Sequence, residues 1–229
     1  MTYELYIGDR MYSSWSLRGW LMLEKFAIPH QTRFVGLYSG TMAQDMAHLP
    51  PARLVPALKT DQGLVVGESL AMAETLAEQH PTAGLWPRAE ALRATARWLC
   101  TEMVAGFSAL RGDCPMQLSH VWQGFAPSDA VLTDLARIEQ LFAHARNLSG
   151  SETGYLFGDY CLADVFYTPV AARIIGYDLP VRPETRAYCE LLMSDPAVLR
   201  WQKQAREVSY DPEPYALDLP RLPWPIAPL

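Results

Sequence analysis

The apolar pattern of this chain changes character at a short proline-bracketed stretch, Pro81 to Pro87, and that change limits the fold more than any other feature. Before it, short β-prone runs alternate with helical ones. After it, Leu92, Ala96, Leu99, Met103, Phe107 and Leu110 recur every three or four residues, as do Val131, Leu135, Ile138, Phe142, Ala145 and Leu148. Only helices bury such stripes. The expectation is an α/β domain over residues 1–81, a linker, and an all-α domain over 88–229.

Within the first part, residues 3–8 read as a strand. From Ser16 to Phe26 a helix places Leu17, Trp20, Leu21 and Leu23 inward and Arg18 and Lys25 on a polar face, and Pro29 closes it. Residues 31–37 form a second strand, and 38–52 are irregular. Val55 to Lys59 and Leu64 to Val66 flank a Gly63-containing turn, a hairpin signature. Ser69 opens a helix with Leu70, Ala73, Leu76 and Ala77 on one stripe, ending near His80. In the second part, Asp195-Pro196 is a helix start, a capping side chain followed by proline at the first helical position. From Asp211 on, prolines forbid a regular helix, and an extended tail is expected to pack over the helical domain.

Half of the 229 residues are hydrophobic, enough for packed cores, and the net charge is -6. That balance argues against nucleic acid as a partner, which needs a basic surface. No apolar run approaches the roughly 18 residues of a membrane helix. Met1 to Arg10 carries no basic segment leading into an apolar one, so the expectation is a cytoplasmic chain. Four scattered cysteines (100, 114, 161 and 189) read as reduced core residues. The five histidines lack ligand spacing, so no metal is expected. No phosphate-cradling glycine loop and no G-x-S-x-G elbow appear.

Four segments carry a resemblance. Tyr12-Ser13-Ser14-Trp15-Ser16-Leu17-Arg18 resembles the serine-type active-site turn of glutathione transferases, nearest to the zeta-class form, with Trp15 where that class has cysteine. Leu54-Val55-Pro56-Ala57-Leu58 is similar to the family's Val-Pro segment. Gly67-Glu68-Ser69 is similar to its Glu-Ser element, and Gly158 to Asp164 to its Gly-x-x-Ser/Thr-x-Ala-Asp signature. The order β-α-β-β-β-α followed by helices agrees over nearly the whole chain. The resemblance implies a thioredoxin-like first domain, glutathione as co-substrate, a small electrophilic or apolar second substrate, a detoxifying role and a homodimer.

What these residues would do follows from sulfur chemistry. A thiol is a weak nucleophile and its thiolate a strong one, yet an ordinary thiol with a pKa near 8.5 is only a few per cent ionised at neutral pH. A serine hydroxyl donating to sulfur, together with a helix N-terminus, favours the anion. Lowering the pKa by about two is worth roughly 2.7 kcal/mol. By the family spacing, Ser13 lies five residues before Arg18 and is the first choice for that hydroxyl; Ser14 is the second, and Ser16 is read as the helix cap. Trp15 would border the ligand. The resemblance implies a cis bond at Pro56, exposing Val55 to the cysteinyl part of glutathione, and places the γ-glutamyl end at Glu68 and Ser69. Leu54 stands where members often have lysine, so Arg53 or His48 is the candidate cation for the glycine carboxylate. The second substrate would lie against the helices from 88 to 125, where Trp98, Met103, Phe107, Met116 and Trp122 are the candidates to line a cleft, with core packing expected for most of them and Trp122 the exposed one. Cysteine at 161 replaces a better cap, with Asp164 reaching back to a backbone N–H. Rival readings are a glutathione-dependent isomerase or dehalogenase and a non-catalytic binding protein of the same fold.

Overall fold

The computed structural model describes residues 2–226. Strand β1 (Tyr3–Ile7) lies centrally in a four-stranded sheet ordered β2-β1-β3-β4. It runs parallel to β2 (His30–Phe34) and antiparallel to β3 (Ala57–Lys59), with Leu5 opposite Leu58; β4 (Val65–Val66) closes the edge. Alternation sorts the two faces. Tyr3, Leu5 and Ile7 join the main core with helices α1 (Ser14–Glu24) and α3 (Ser69–Gln79). Tyr6 faces the other way, onto Val35, Met46, Leu49, Val55 and Ala57. The segment read as irregular supplies part of this second cluster through the short helix α2 (Met42–Asp45) and a cis Pro50–Pro51 bond. This is the thioredoxin-like arrangement.

The linker leads to α4 (Glu90–Ala105), α5 (Ser108–Asp113), α6 (Asp129–Ser149), α7 (Leu162–Gly176), α8 (Pro183–Met193) and α9 (Pro196–Glu207). Every residue of α7 is buried, as its nearly continuous apolar sequence requires, and α1, α4 and α8 pack around it. Asp195 caps α9, accepting from the Ala197 N–H at 2.8 Å. Asp164 accepts from the Cys161 N–H at 2.8 Å, as expected.

Three expectations fail. Helix α1 begins at Ser14 and stops at Glu24, so Ser13 rather than Ser16 is its cap, and the helix ends before Pro29. Arg18 does not share a polar face with Lys25: it is 1 % exposed, and its Nε donates to the Phe166 carbonyl of α7 at 2.9 Å. Trp122 is wholly buried, in a strand β5 (His120–Trp122) that pairs antiparallel with β6 (Arg221–Pro223) from the proline-rich tail.

The seam between the domains is built by α1. Besides the Arg18 bond, Trp20 packs on Trp201 with ring centres 5.2 Å apart, and Lys25 pairs with Asp195. The first helix, which carries the serine turn, is therefore held directly against the second domain.

Candidate active site

A cleft of about 550 Å³ opens at this seam. On the first-domain side it is lined by Tyr12, Ser13, Ser14, Trp15, Tyr38, Leu54 and Val55, and on the helical side by Arg111, Met116 and Arg173. Tyr215 of the tail also borders it. Six residues expected from sequence, Ser13, Ser14, Trp15, Leu54, Val55 and Met116, thus meet in one place.

The serine turn is held from beneath. The Asp9 carbonyl accepts from the Ser13 N–H at 2.9 Å, and the Gly8 N–H donates to Ser16 Oγ at 2.9 Å. Ser13 has extended backbone angles (φ -88°, ψ 94°), and its Oγ accepts from the Ser16 N–H at 3.3 Å. That bond satisfies one of the free donors of the first turn. Ser13 Oγ also donates to Ser16 Oγ at 2.7 Å. Ser14 Oγ lies 3.5 Å from Nη2 of Arg173.

Val55–Pro56 is cis, and Val55 is buried at the cleft beside an exposed Leu54. Gly19 explains how α1 comes so close to this loop. A Cβ there would stand 2.7 Å from Cβ of Pro56, closer than any real contact, so only glycine fits.

Glu68 and Ser69 begin α3, outside the lining of the cleft itself. Glu68 is exposed, with a positive φ of 58° that costs a residue other than glycine on the order of 1–3 kcal/mol. Ser69 is 2 % exposed and its Oγ has no partner. An unbonded buried hydroxyl beside the free N–H groups of a helix start matches a carboxylate. The cation candidates fare worse. Arg53 borders a separate groove with Met42, Met46, Pro50 and Pro51, and His48 hydrogen-bonds Tyr6 at 3.1 Å. Of the apolar candidates only Met116 reaches the cleft; Met103 and Phe107 are core, and Trp98 is exposed elsewhere, bonded to Glu102.

Sequence reasoning missed Arg111 and Arg173, and took Arg18 only as a marker of the serine turn. Arg18 lies 4.3 Å from the centre of the Trp15 ring, and Arg111 lies 5.2 Å from it. Arg173 donates to the carbonyls of Cys114 and Pro169 at 2.9 and 3.0 Å. Among the described residues none of the three has a carboxylate partner. Burial, and then the neighbouring guanidinium charges, push Arg18 down to about 9 and Arg173 down to about 10. A signal was present: Asp164 and Arg173 are the only charged residues of α7. Among the described residues no group of three or more His, Cys, Asp or Glu side chains gathers as a metal site, and no helix is long and apolar enough to cross a membrane.

Residues 12–79 match the family model described as glutathione S-transferase, N-terminal domain. Over 202 residues, 85% of this chain and 90% of the relative, the sequence is 30% identical to a Caenorhabditis elegans protein described as a probable maleylacetoacetate isomerase. The chain belongs to the glutathione transferase family. A glutathione transferase homologue from Burkholderia gl BGR1, solved with bound glutathione, superposes with a TM-score of 0.68 at 26% identity, covering 91% of this chain and all of that one. Ure2p in complex with S-hexylglutathione shares the glutathione transferase fold, with a TM-score of 0.66 at 19% identity over 87% of this chain and 97% of its own.

Proposed function

We propose that this chain binds glutathione and holds its sulfur as a thiolate at the Ser13–Ser14 turn, for attack on a small electrophile. The carrying observation is the hydroxyl pair Ser13–Ser16, whose oxygens are 2.7 Å apart, backed by the Gly8 N–H on Ser16. In the structure Ser13 donates to Ser16. Both groups are hydroxyls, so turning their hydrogens makes Ser16 the donor and frees the Ser13 hydrogen for sulfur. No bond beneath is lost: Ser16 still accepts from Gly8, and Ser13 still accepts from the Ser16 N–H. The chain Gly8, Ser16, Ser13, sulfur then runs in one direction, and each bond strengthens the next. The N-terminus of α1 and the unpaired Arg173 add positive potential beside it.

The remaining residues take the peptide part. The Ser69 hydroxyl and the α3 start would receive the γ-glutamyl carboxylate, Glu68 its ammonium, and Val55 the cysteinyl backbone. Bound glutathione supplies a sulfur nucleophile that joins the electrophilic carbon as a leaving group departs, or adds to an activated double bond.

One observation favours a second reading, glutathione-dependent isomerisation of an unsaturated acid. Arg111 and Arg173 face the cleft without acidic partners, which suits an anionic substrate. The relative's description points the same way. Trp15, in place of the zeta-class cysteine, counts against zeta-type isomerisation and against thiol–disulfide chemistry.

Calorimetric titration with glutathione tests the common core. The wild type is expected to bind, and Ser69→Ala to bind about tenfold more weakly, the loss of one charge-assisted hydrogen bond. No binding by the wild type at millimolar glutathione, a Kd weaker than about 1 mM or about −4 kcal/mol, would end both readings. Nuclear magnetic resonance then separates them, because isomerisation leaves the glutathione signal undiminished while conjugation consumes it.

A further inference from the structure

The tail from Asp211 on was expected to lie over the helical domain; β6 does pair with β5 there, but Asp211 and the two residues before it are bound to the first domain. Asp9, wholly buried two residues beyond β1, is the hub. Its Oδ2 accepts from Ser209 Oγ at 3.0 Å, the Tyr210 N–H at 2.8 Å and the Asp211 N–H at 3.0 Å. Its Oδ1 accepts from the Met11 N–H at 2.8 Å, and its carbonyl is the one that holds Ser13. Asp211 then accepts from the Leu37 and Ser39 N–H groups, both at 3.1 Å. Tyr210 packs edge-on against Phe34.

A second anchor lies further on. β6 pairs with β5, the Gln123 N–H donates to the Pro220 carbonyl at 2.9 Å, and Arg221 stacks 4.9 Å from the Trp122 ring. Between the anchors the chain spans the seam and delivers Tyr215 to the cleft. There the rings of Tyr12, Tyr38 and Tyr215 stand edge to face, with centres 5.7 to 6.3 Å apart, and the Tyr38 and Tyr215 hydroxyls touch.

We propose that this tail is a working wall of the cleft and that Tyr215 is a specificity-determining residue, selecting second substrates with a flat aromatic or conjugated body. Edge-to-face rings present a hydrogen-bearing edge to the face of a neighbouring π system, an arrangement that flexible alkyl groups do not exploit. Tethering at both ends means Tyr215 is placed before the substrate arrives, so little ordering is required on binding. The inference rests on the glutathione reading, because it takes the sulfur at Ser13 as the point from which the substrate extends.

S-methylglutathione and S-benzylglutathione serve as probes, bound to the full chain and measured by calorimetry. The wild type is expected to prefer the benzyl compound. Tyr215→Ala should cut that preference at least fivefold while S-methylglutathione binds within twofold of wild type, and Tyr215→Phe should retain it. Asp211→Ala removes a side chain that does not line the cleft and cuts the tether nearest to Tyr215, the bonds from the Leu37 and Ser39 N–H groups, while the bonds to Asp9 remain; it should lower the preference too, by loosening the strap on that side. Equal preference in wild type and Tyr215→Ala overturns the proposal, as does an equal loss for both compounds. Retention of the preference in Asp211→Ala overturns the role of the tether. Failure of the wild type to bind either compound strikes instead at the glutathione reading, which separates the two failures.

Discussion

Arg173→Gln is the substitution that most sharply asks what the arginines are for. The Arg173 guanidinium is 3.5 Å from Ser14 Oγ, at the lip where the proposed function puts the sulfur. A carboxylate carried one carbon from that sulfur comes within about 5 Å of it, worth roughly 3 kcal/mol at an effective dielectric of about 20. The cleft is open to water, so about half of this, near 1.4 kcal/mol or a factor of ten, is expected to survive. The assay compares two ligands of nearly equal shape, S-carboxymethylglutathione and the neutral S-carbamoylmethylglutathione, by calorimetry. The ratio of their affinities should fall about tenfold in Arg173→Gln and remain largely intact in Arg173→Lys, which keeps the charge. The lysine control matters because Arg173 also satisfies the Cys114 and Pro169 carbonyls. A packing defect weakens both ligands in both variants and leaves the ratio alone. A ratio unchanged in Arg173→Gln would refute the anion-binding role.

Gly19→Ala should destabilise by about 1–3 kcal/mol, because its Cβ would press on the Pro56 ring. In an open helix the same change stabilises by about 1 kcal/mol, so the sign is diagnostic: a raised melting midpoint contradicts the close approach of α1 to the Val55 loop. Asp164 gives a pH signature. Burial pushes it up to about 6, against its ordinary 3.8, with the bonds from Cys161 and Tyr188 opposing in part. The folded state therefore binds the proton more tightly than the unfolded chain, and this group favours folding most below pH 4. That contribution declines as pH rises to about 6, by at most about 3 kcal/mol, and is flat above. Urea unfolding of Asp164→Asn should lack this slope, while being less stable throughout; an identical slope would assign it to other groups.

Much of the fold was legible because it depends on local periodicity: the change from mixed strands and helices to a run of helices, the hairpin around Gly63 and the Asp195 cap all appear in the order the pattern gives. The misreadings share a cause, which is that partners distant in sequence decide the outcome. Three serines in one turn have nearly equal capping ability, and only the extended backbone of Ser13 selects it. Arg18 looks like a surface residue until Phe166, 148 positions on, offers its carbonyl. Trp122 lies in a non-periodic stretch because its covering strand is supplied by the tail. The serines, Val55–Pro56 and the α3 start were recognisable as short motifs. Arg111, Arg173 and Tyr215 were not, since they come from three segments that only the folded chain brings to one cleft.

The sulfur itself gives the most direct measurement. With glutathione bound, ultraviolet thiolate absorbance is followed against pH for the wild type, Ser13→Ala and Ser14→Ala. The account predicts a bound thiol pKa about two below the free value near 8.5, lost largely in Ser13→Ala and only slightly in Ser14→Ala. Wild type and Ser13→Ala titrating together, with glutathione demonstrably bound to both, would contradict it.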